Sequence, residues 1–194
     1  MNLKKLLGRC TTLLLALQLS ACATIIASTS GPEPLDSDQG SRTFGAFIED
    51  ESIEIKVKAN LFKADQGFRD GHISVVSFNG ITLITGQIKS EALKQRASDI
   101  AKKVRHVRKV HNELTVAGPI SYLSRSNDTW LTNKVKTRMY FTADFPASRT
   151  KVVTEAGAIY LMGLLTNDEA QKAVNIARQV YGVQKIVKII EYIN

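Results

Sequence analysis

The hydrophobic pattern that follows residue 126 predicts a helix with one buried face. Three apolar residues recur there at a spacing of four, which places them on one side of an α-helix: Leu131, Val135 and Met139. Asn127 or Asp128 is expected to cap the start of this helix, because a side-chain oxygen can accept from the free N–H groups. Trp130, the single tryptophan of the chain, lies more than a quarter-turn from the apolar side. The pattern therefore predicts a tryptophan on the face where a soluble helix should be polar.

The same order of elements is predicted twice along the chain. In each copy, a helix is followed by two short strands that meet at a tight turn, around Gly80 in the first copy and Gly157 in the second. A second helix follows, with Ser90 or Asn167 as its predicted cap, and a strand of alternating residues ends each copy. Three strands and two helices close one small core. Each copy is therefore predicted to be an α+β unit with both helices on one face of the sheet.

Residue identities support an internal repeat. Segments 50–62 and 128–140 align, and both contain the triplet Lys-Val-Lys. Segments 73–86 and 150–163 share a Val-Val pair and two glycines after a one-residue deletion. Two copies of about 70 residues each are plausible as independent small domains. The predicted bounds are 46–117 for the first domain, 118–124 for the linker and 125–194 for the second domain.

The first 22 residues have the layout of a bacterial lipoprotein signal. Three cations precede an apolar run at 11–19, which is too short to span a membrane. The run ends in the tetrapeptide LSAC at 19–22, which resembles a bacterial lipobox. This resemblance implies cleavage before Cys22 and lipidation of that cysteine. Because Ala23 rather than Asp follows it, the resemblance also implies an outer-membrane location, with the protein facing the periplasm.

Removal of a signal peptide at 1–21 changes the cysteine count and the charge. Cys10 leaves with it, so Cys22 is the single remaining cysteine and no disulfide is expected. The formal net charge falls from +8 to +5, because three cations are lost. This mild excess does not by itself indicate nucleic acid as a partner, and an anionic membrane surface fits better. Residues 22–45, rich in Ser, Thr, Gly, Pro and Asp, are predicted to form the lipidated cysteine and a flexible tether.

The αββαβ order, with its paired hairpin glycines, resembles the BON domain. Two copies behind a lipobox resemble the dual BON-domain outer-membrane lipoproteins, and segments SNDTW (126–130) and LMGL (161–164) are similar to the second domain of that family. The resemblance implies two tandem domains, each with a small three-stranded mixed sheet. It also implies binding of anionic phospholipid, notably phosphatidylglycerol, through the first helix of the second domain. Support of outer-membrane integrity at division sites is a further implication.

The repeat supplies an internal control for the exposed face of that helix. Trp130 aligns with Ser52, and Phe141 aligns with Lys63, so aromatic residues of the second copy replace polar residues of the first. The two aromatic residues lie about 20° apart around the helix, and cations lie between and beside them. Aromatic rings suit headgroup depth and cations suit lipid phosphates. The alternative is a contact of Trp130 with the linker or the first domain. The candidate lipid-binding residues are Trp130, Lys134, Arg138 and Phe141.

Catalytic and metal chemistry are not indicated by the sequence. The three histidines lack partners at metal-ligand spacing, and no nucleophile elbow or glycine-rich phosphate loop occurs. The acidic run 49–51 is interpreted as favourable charge at a helix start, and the basic run 102–109 as a solvated helix end rather than a second anionic patch. We therefore expect no enzyme, no cofactor, no metal and no small-molecule substrate. The competing hypothesis is a periplasmic adaptor that binds an outer-membrane assembly protein.

Overall fold

The computed structural model of the chain describes residues 40–118 and 122–194, with the backbone alone for 122–124. The predicted signal peptide, Cys22 and most of the predicted tether lie outside these residues. Two α+β units follow one another in the described part, which confirms the predicted fold class. Across these described ranges, no helix combines the length and the apolar composition that a membrane crossing requires.

The elements of each unit follow the predicted order, with one short helix added to the first. The first unit contains α1 (Phe44–Ala64), α2 (Gln66–Asp70), β1 (His72–Phe78), β2 (Ile81–Ile88), α3 (Glu91–Lys102) and β3 (Lys109–Val116). The second contains α4 (Tyr122–Tyr140), a 3-10 turn (Ala147–Arg149), β4 (Thr150–Glu155), β5 (Ala158–Leu165), α5 (Asn167–Arg178) and β6 (Lys185–Tyr192). Helix α1 thus begins within the range predicted for the tether, and α4 begins within the range predicted for the linker.

Each unit has a three-stranded mixed sheet. The middle strand pairs antiparallel with the strand before it and parallel with the last strand, in the orders β1-β2-β3 and β4-β5-β6. The hairpins turn at Asn79-Gly80 and Ala156-Gly157, and all four residues have φ between 48° and 76°. A two-residue turn with positive φ at both positions matches the twist of the strands that it joins. The predicted turns are confirmed.

The predicted helix caps are confirmed in part. Ser90 caps α3, where its hydroxyl accepts from the N–H of Leu93 at 3.3 Å. For α5 the prediction of Asn167 was wrong by one residue. Thr166 caps that helix and forms a capping box with Glu169, in which each side chain accepts from the other residue's N–H.

The helix-free faces of the two sheets pack against each other. Residues on opposite faces alternate along each strand, so a strand can serve two cores at once. The buried residues on the helix-free faces form a cluster of their own, separate from the two cores that lie under the helices: Phe78, Leu83, Tyr160, Met162, Leu164 and Ile189. The sequence pattern did not predict this third cluster. It joins the two units into one compact body.

Polar pairs border the contact between the two sheets. Arg108 donates from both terminal guanidinium nitrogens to the carboxylate of Glu191, from Nη2 to Oε1 at 2.6 Å and from Nη1 to Oε2 at 2.9 Å. Gln87 donates from Nε2 to Oε1 of Glu155 at 2.7 Å. Lys151 of the second unit donates from Nζ to Oε1 of Glu54 in α1 of the first unit at 2.9 Å. Because each of these three pairs joins the two units, together they fix the orientation of one sheet on the other.

Two buried aspartates tie the first helix of each unit to the hairpin of the same unit. Asp50 is 1% exposed and accepts from the N–H groups of Asn79 and Gly80 at 2.8 and 2.9 Å. Asp128 is 6% exposed and accepts from Ala156 and Gly157, both at 2.8 Å. The repeat therefore places the same clamp in both units. The prediction that Asn127 or Asp128 caps α4 was wrong, because the helix begins at Tyr122 and both residues lie inside it. The acidic run 49–51 likewise lies within α1 rather than at its start.

We expect the Asp50 clamp to make stability depend on pH. Burial raises the pKa of Asp50, but hydrogen bonds from Gly80, Ser77, Arg42 and Asn79 outweigh burial and hold the pKa below its usual value. A carboxyl group with a lower pKa in the folded state stabilises the fold above its unfolded pKa, and this contribution is lost on acidification. The free energy of unfolding should therefore start to fall below about pH 4 and continue to fall towards the lower folded pKa.

Urea denaturation of the wild type and of Asp50→Asn across this pH window measures the effect. At neutral pH the variant should be less stable by about 1–3 kcal/mol, because the amide cannot satisfy the same buried donors. Its stability should also fall less steeply on acidification. If both proteins lost stability in parallel, Asp50 would not be a source of the pH dependence.

Candidate functional site

Helix α4 turns one face to the core of the second unit and the other to solvent. Leu131, Val135 and Met139 are buried in that core, which confirms the predicted apolar stripe. Trp130 lies on the opposite side and is 45% exposed. Asp128, one turn earlier along the buried side, fixes the helix on the hairpin of β4 and β5. The fold thus holds the face that carries Trp130 away from the core.

The indole ring of Trp130 is covered on one side by a cation. Nζ of Lys134 lies 5.0 Å from the ring centroid, a distance that suits a cation–π contact. Among the residues that the structure describes, Trp130 belongs to none of the three buried apolar clusters. The sheet-to-sheet cluster connects the two domains without Trp130, and the alternative contact with the linker involves side chains at 119–124 that lie outside the described part of the chain.

Two further aromatic residues are exposed at the C-terminal end of α4. Tyr140 and Phe141 are 75% and 78% exposed, and their ring centroids lie 5.3 Å apart in an edge-to-face arrangement. Phe141 was a candidate from the sequence, whereas Tyr140 was missed. Tyr140 aligns with Phe62, which is partly buried against the first core, so the repeat favoured a structural role. Its position off the buried stripe of α4 was the signal that could have identified it.

The exposed charge on the second half of this helix is positive. Between residues 129 and 142 the chain has three cations and no acidic residue, whereas the aligned segment 51–64 has three cations and two glutamates. Of these cations, Lys134 lies over the indole and Arg138 donates to Gln179 at 3.3 Å. The third, Lys136, lies on the other flank of the helix. The structure thus places all four predicted residues on or beside one exposed surface, while Tyr140 and Lys136 lie along its neighbouring flank.

A groove of about 490 Å³ opens beside the exposed aromatic pair. It lies between the end of α4 and the segment of the 3-10 turn, and its lining is mainly apolar. The lining residues come from those two segments and from the first residue of β4: Lys136, Thr137, Met139, Tyr140, Phe141, Ala147, Ser148 and Thr150. The sequence did not predict this groove.

Helix α1 also has an exposed apolar face, which the sequence analysis did not identify. Phe44, Ile48 and Ile55 are exposed and fall on the side of the helix opposite to its buried residues. The corresponding positions of α4 are Tyr122, Ser126 and Asn133. The two units therefore expose different chemistry on equivalent helices: aliphatic and aromatic side chains on α1, and aromatic side chains with cations on α4.

The histidines and acidic residues of the described part do not meet the requirements of a metal site. Within residues 40–118 and 122–194, no three His, Cys, Asp or Glu side chains are grouped as a metal site requires. His106 lies 3.2 Å from Glu49 and adopts φ 69° where the second copy has Gly182 at 95°. The turn before the last strand is thus alike in both units despite the substitution. Burial lowers the pKa of His111, and the nearby Lys109 lowers it further.

Comparison with known proteins identifies the fold and its relatives. The BON domain family matches residues 49–118 and 127–194. The chain is 38% identical over 153 residues to the outer membrane lipoprotein DolP of Haemophilus influenzae, and the match covers 79% of each chain. It is 32% identical over 152 residues to a 21 kDa hemolysin of Actinobacillus pleuropneumoniae, with 78% of each covered. The osmotically-inducible protein Y of Escherichia coli is 29% identical over 152 residues, which cover 77% of this chain and 75% of that protein.

Proposed function

This chain belongs to the BON-domain family and carries the domain twice, and from that premise we propose that it binds anionic phospholipid through α4 as a lipid-anchored protein of the outer membrane. The observation that carries the proposal is the exposed surface of Trp130, Lys134 and Phe141, whose first two residues are in contact. The first domain adopts the same fold with Ser52 and Lys63 at the positions of Trp130 and Phe141. Folding alone therefore does not require this surface.

The chemistry of the surface fits the boundary between lipid headgroups and acyl chains. Indole and phenyl rings are favoured at that depth, where one end of the side chain is apolar and the other is wet. Each cation near an anionic leaflet adds about 1 kcal/mol, and residues 129–142 supply three cations without an acidic residue among them. Binding of this strength is weak for a free protein. Anchored through Cys22, the protein would act at a high effective concentration, where weak binding suffices.

An anchored protein does not need α4 for recruitment to the membrane. The role that we propose for α4 is to select where in the periplasmic leaflet of the outer membrane the protein resides, in favour of regions rich in phosphatidylglycerol. The name of the Haemophilus influenzae relative supports the outer-membrane location, and the lipobox supports the anchor at Cys22. Support of membrane integrity at division sites, implied by the family resemblance, is consistent with such a selective role. No step of this role requires catalysis.

Co-sedimentation of residues 23–194 with vesicles tests the proposal. Vesicles of phosphatidylethanolamine alone should leave the protein in solution, and vesicles that also contain phosphatidylglycerol should bind it. Binding should weaken as salt is raised towards about 1 M, because exposed charges are then screened within about 3 Å. Equal binding to both vesicle types, or binding that salt does not weaken, would contradict a site built on cations and anionic headgroups.

The exposed face of α1 favours a second candidate function, a periplasmic adaptor. Phe44, Ile48 and Ile55 form an apolar surface on the unit that lacks the aromatic and cationic pattern of α4. A protein partner of the outer-membrane assembly machinery would suit such a surface. Ile55→Glu should weaken adaptor binding and leave binding to vesicles unchanged, whereas Trp130→Glu should have the opposite effects.

A further inference from the structure

The two units differ in the segment after their first helix, and in the second unit a groove lies beside Tyr140 and Phe141. In the first unit the chain continues into α2, whose Phe68 is fully buried in the core, and Phe62 packs partly against the same core. In the second unit no helix forms in this segment before the 3-10 turn Ala147–Arg149, and Tyr140 points outwards instead. Phe145, which aligns with Phe68, is buried in the second core, whereas Tyr140, which aligns with Phe62, is exposed and lines an open groove.

The lining of the groove separates apolar from charged groups. Met139, Ala147 and the two aromatic rings supply the apolar part, whereas Lys136, Thr137, Ser148 and Thr150 supply a cation and three hydroxyl groups. No carboxylate is among the lining residues. An amphipathic molecule with an apolar tail and an anionic head matches this distribution in both parts.

The groove is continuous with the surface proposed to face the membrane. Thr137 and Phe141 line it and also fall on the same side of α4 as Trp130. Its volume of about 490 Å³ lies within the range of about 300–1,000 Å³ that is usual for small-molecule sites. A lipid that meets α4 at the membrane surface is therefore next to the mouth of the groove.

We propose that this groove takes up part of one acyl chain of an anionic phospholipid, while the phosphate of that lipid pairs with Lys136. The proposal rests on the function proposed for α4 and deepens it. The protein would then hold an individual phospholipid molecule in addition to adsorbing to a charged surface. Selection would follow from two requirements met together, an anionic head at Lys136 and a chain that can enter between Tyr140 and Ala147.

A phospholipid that dissolves as a monomer provides the probe. Dihexanoyl-phosphatidylglycerol, used below its critical micelle concentration, can occupy a groove without offering a surface. Residues 23–194 contain two methionines, Met139 in the groove and Met162 in the buried sheet-to-sheet contact. Labelling of the methionine methyl groups with carbon-13 therefore yields one NMR signal that reports on the groove and one internal reference.

We expect the signal of Met139 to shift saturably with this lipid while that of Met162 stays in place. Lys136→Gln should weaken the affinity about tenfold, the effect of losing one charge-assisted contact. Dihexanoyl-phosphatidylcholine, with the same chains and a zwitterionic head, should bind more weakly, and glycerol phosphate should cause no shift. No shift of Met139, or equal shifts of both methionines, would overturn the proposal.

Two variants that fill the groove separate this proposal from the function on which it rests. Ala147→Phe and Ser148→Trp place bulk in the groove from adjacent positions, one half-buried and one exposed, so at least one should fold as the wild type does in thermal unfolding. Either variant should lose the shift of Met139 and still co-sediment with phosphatidylglycerol vesicles. Retention of the shift in a folded variant would refute uptake of a chain and leave the surface role of α4 standing. Failure of the wild type to bind these vesicles would overturn both.

Discussion

Trp130→Glu should reduce the affinity of residues 23–194 for phosphatidylglycerol vesicles by at least about thirtyfold, because it removes an interfacial aromatic and adds an anion. Burial of the indole contributes about 1.5–3 kcal/mol and the added negative charge opposes binding by about 1 kcal/mol. The side chain is 45% exposed and lies outside the three buried clusters, so the free energy of unfolding should change little. Vesicle co-sedimentation together with urea denaturation measures both quantities.

The repeat offers a matched control for this substitution. Ser52 occupies the position of Trp130 in the first domain, so Ser52→Glu adds the same charge to the equivalent helix. This variant should bind phosphatidylglycerol vesicles nearly as the wild type does, since α1 has no aromatic residue at this position and its segment 51–64 has two glutamates beside its cations. Equal losses in the two variants would mean that net charge, rather than the surface of α4, controls binding.

Met162→Asp should destabilise both domains together. Met162 is fully buried on the helix-free face of β5, within the cluster that joins the two sheets. A carboxylate placed there would have to be buried without a partner or expose the cluster to water, at a cost of more than about 4 kcal/mol. That cost is a large fraction of the about 5–15 kcal/mol that stabilises a typical domain. Because the cluster belongs to both sheets, the damage should extend to the first domain.

Two measurements on Met162 variants test whether the loss of stability extends to the first domain. Urea denaturation of Met162→Asp reports global stability, and hydrogen exchange of residues 72–88 reports the sheet of the first domain, which contains no substitution. Met162→Leu, which nearly conserves volume, should cost less than about 1.5 kcal/mol and leave exchange in 72–88 unchanged. A Met162→Asp protein with normal exchange in that segment would show that the two sheets do not depend on each other in solution.

Local patterns were sufficient for most of the fold. The four-residue spacing of Leu131, Val135 and Met139 located the buried side of α4, and the outward position of Trp130 followed from it. Glycine at the second position of each hairpin identified the turns, because positive φ is favoured there. These features depend on residues close in sequence, where periodicity and backbone preference act directly.

Features that depend on distant contacts were misread or missed. Asp128 is of a residue type that often caps helices, but its carboxylate instead accepts from the N–H of Ala156, 28 residues later in the sequence, at the hairpin of β4 and β5. The sheet-to-sheet contact was missed although β5 reads AIYLMGLL, an apolar run without alternation. Such a run is typical of a strand that is buried on both faces, and it was the available signal for a second layer. The groove also depends on the path of the chain between α4 and β4, which no periodic pattern in the sequence predicts.

The start of the first domain shows how composition can mislead. Residues up to 45 were assigned to a tether because they are rich in small and polar residues. Helix α1 nevertheless begins at Phe44, since the hydroxyl of Thr43 accepts from the N–H of Ala46 at 3.1 Å and so caps it. The capping residue Thr43 thus marks a helix start that lies inside the range assigned to the tether from composition.

The fluorescence of the single tryptophan tests most directly whether the exposed face of α4 enters the membrane interface. In buffer, residues 23–194 should emit as a half-exposed indole does, since Trp130 is 45% exposed. On titration with vesicles, the emission should move to shorter wavelength when phosphatidylglycerol is present and stay unchanged with phosphatidylethanolamine alone. Emission that remains constant while the protein co-sediments with phosphatidylglycerol vesicles would place the lipid contact elsewhere and contradict the role assigned to α4.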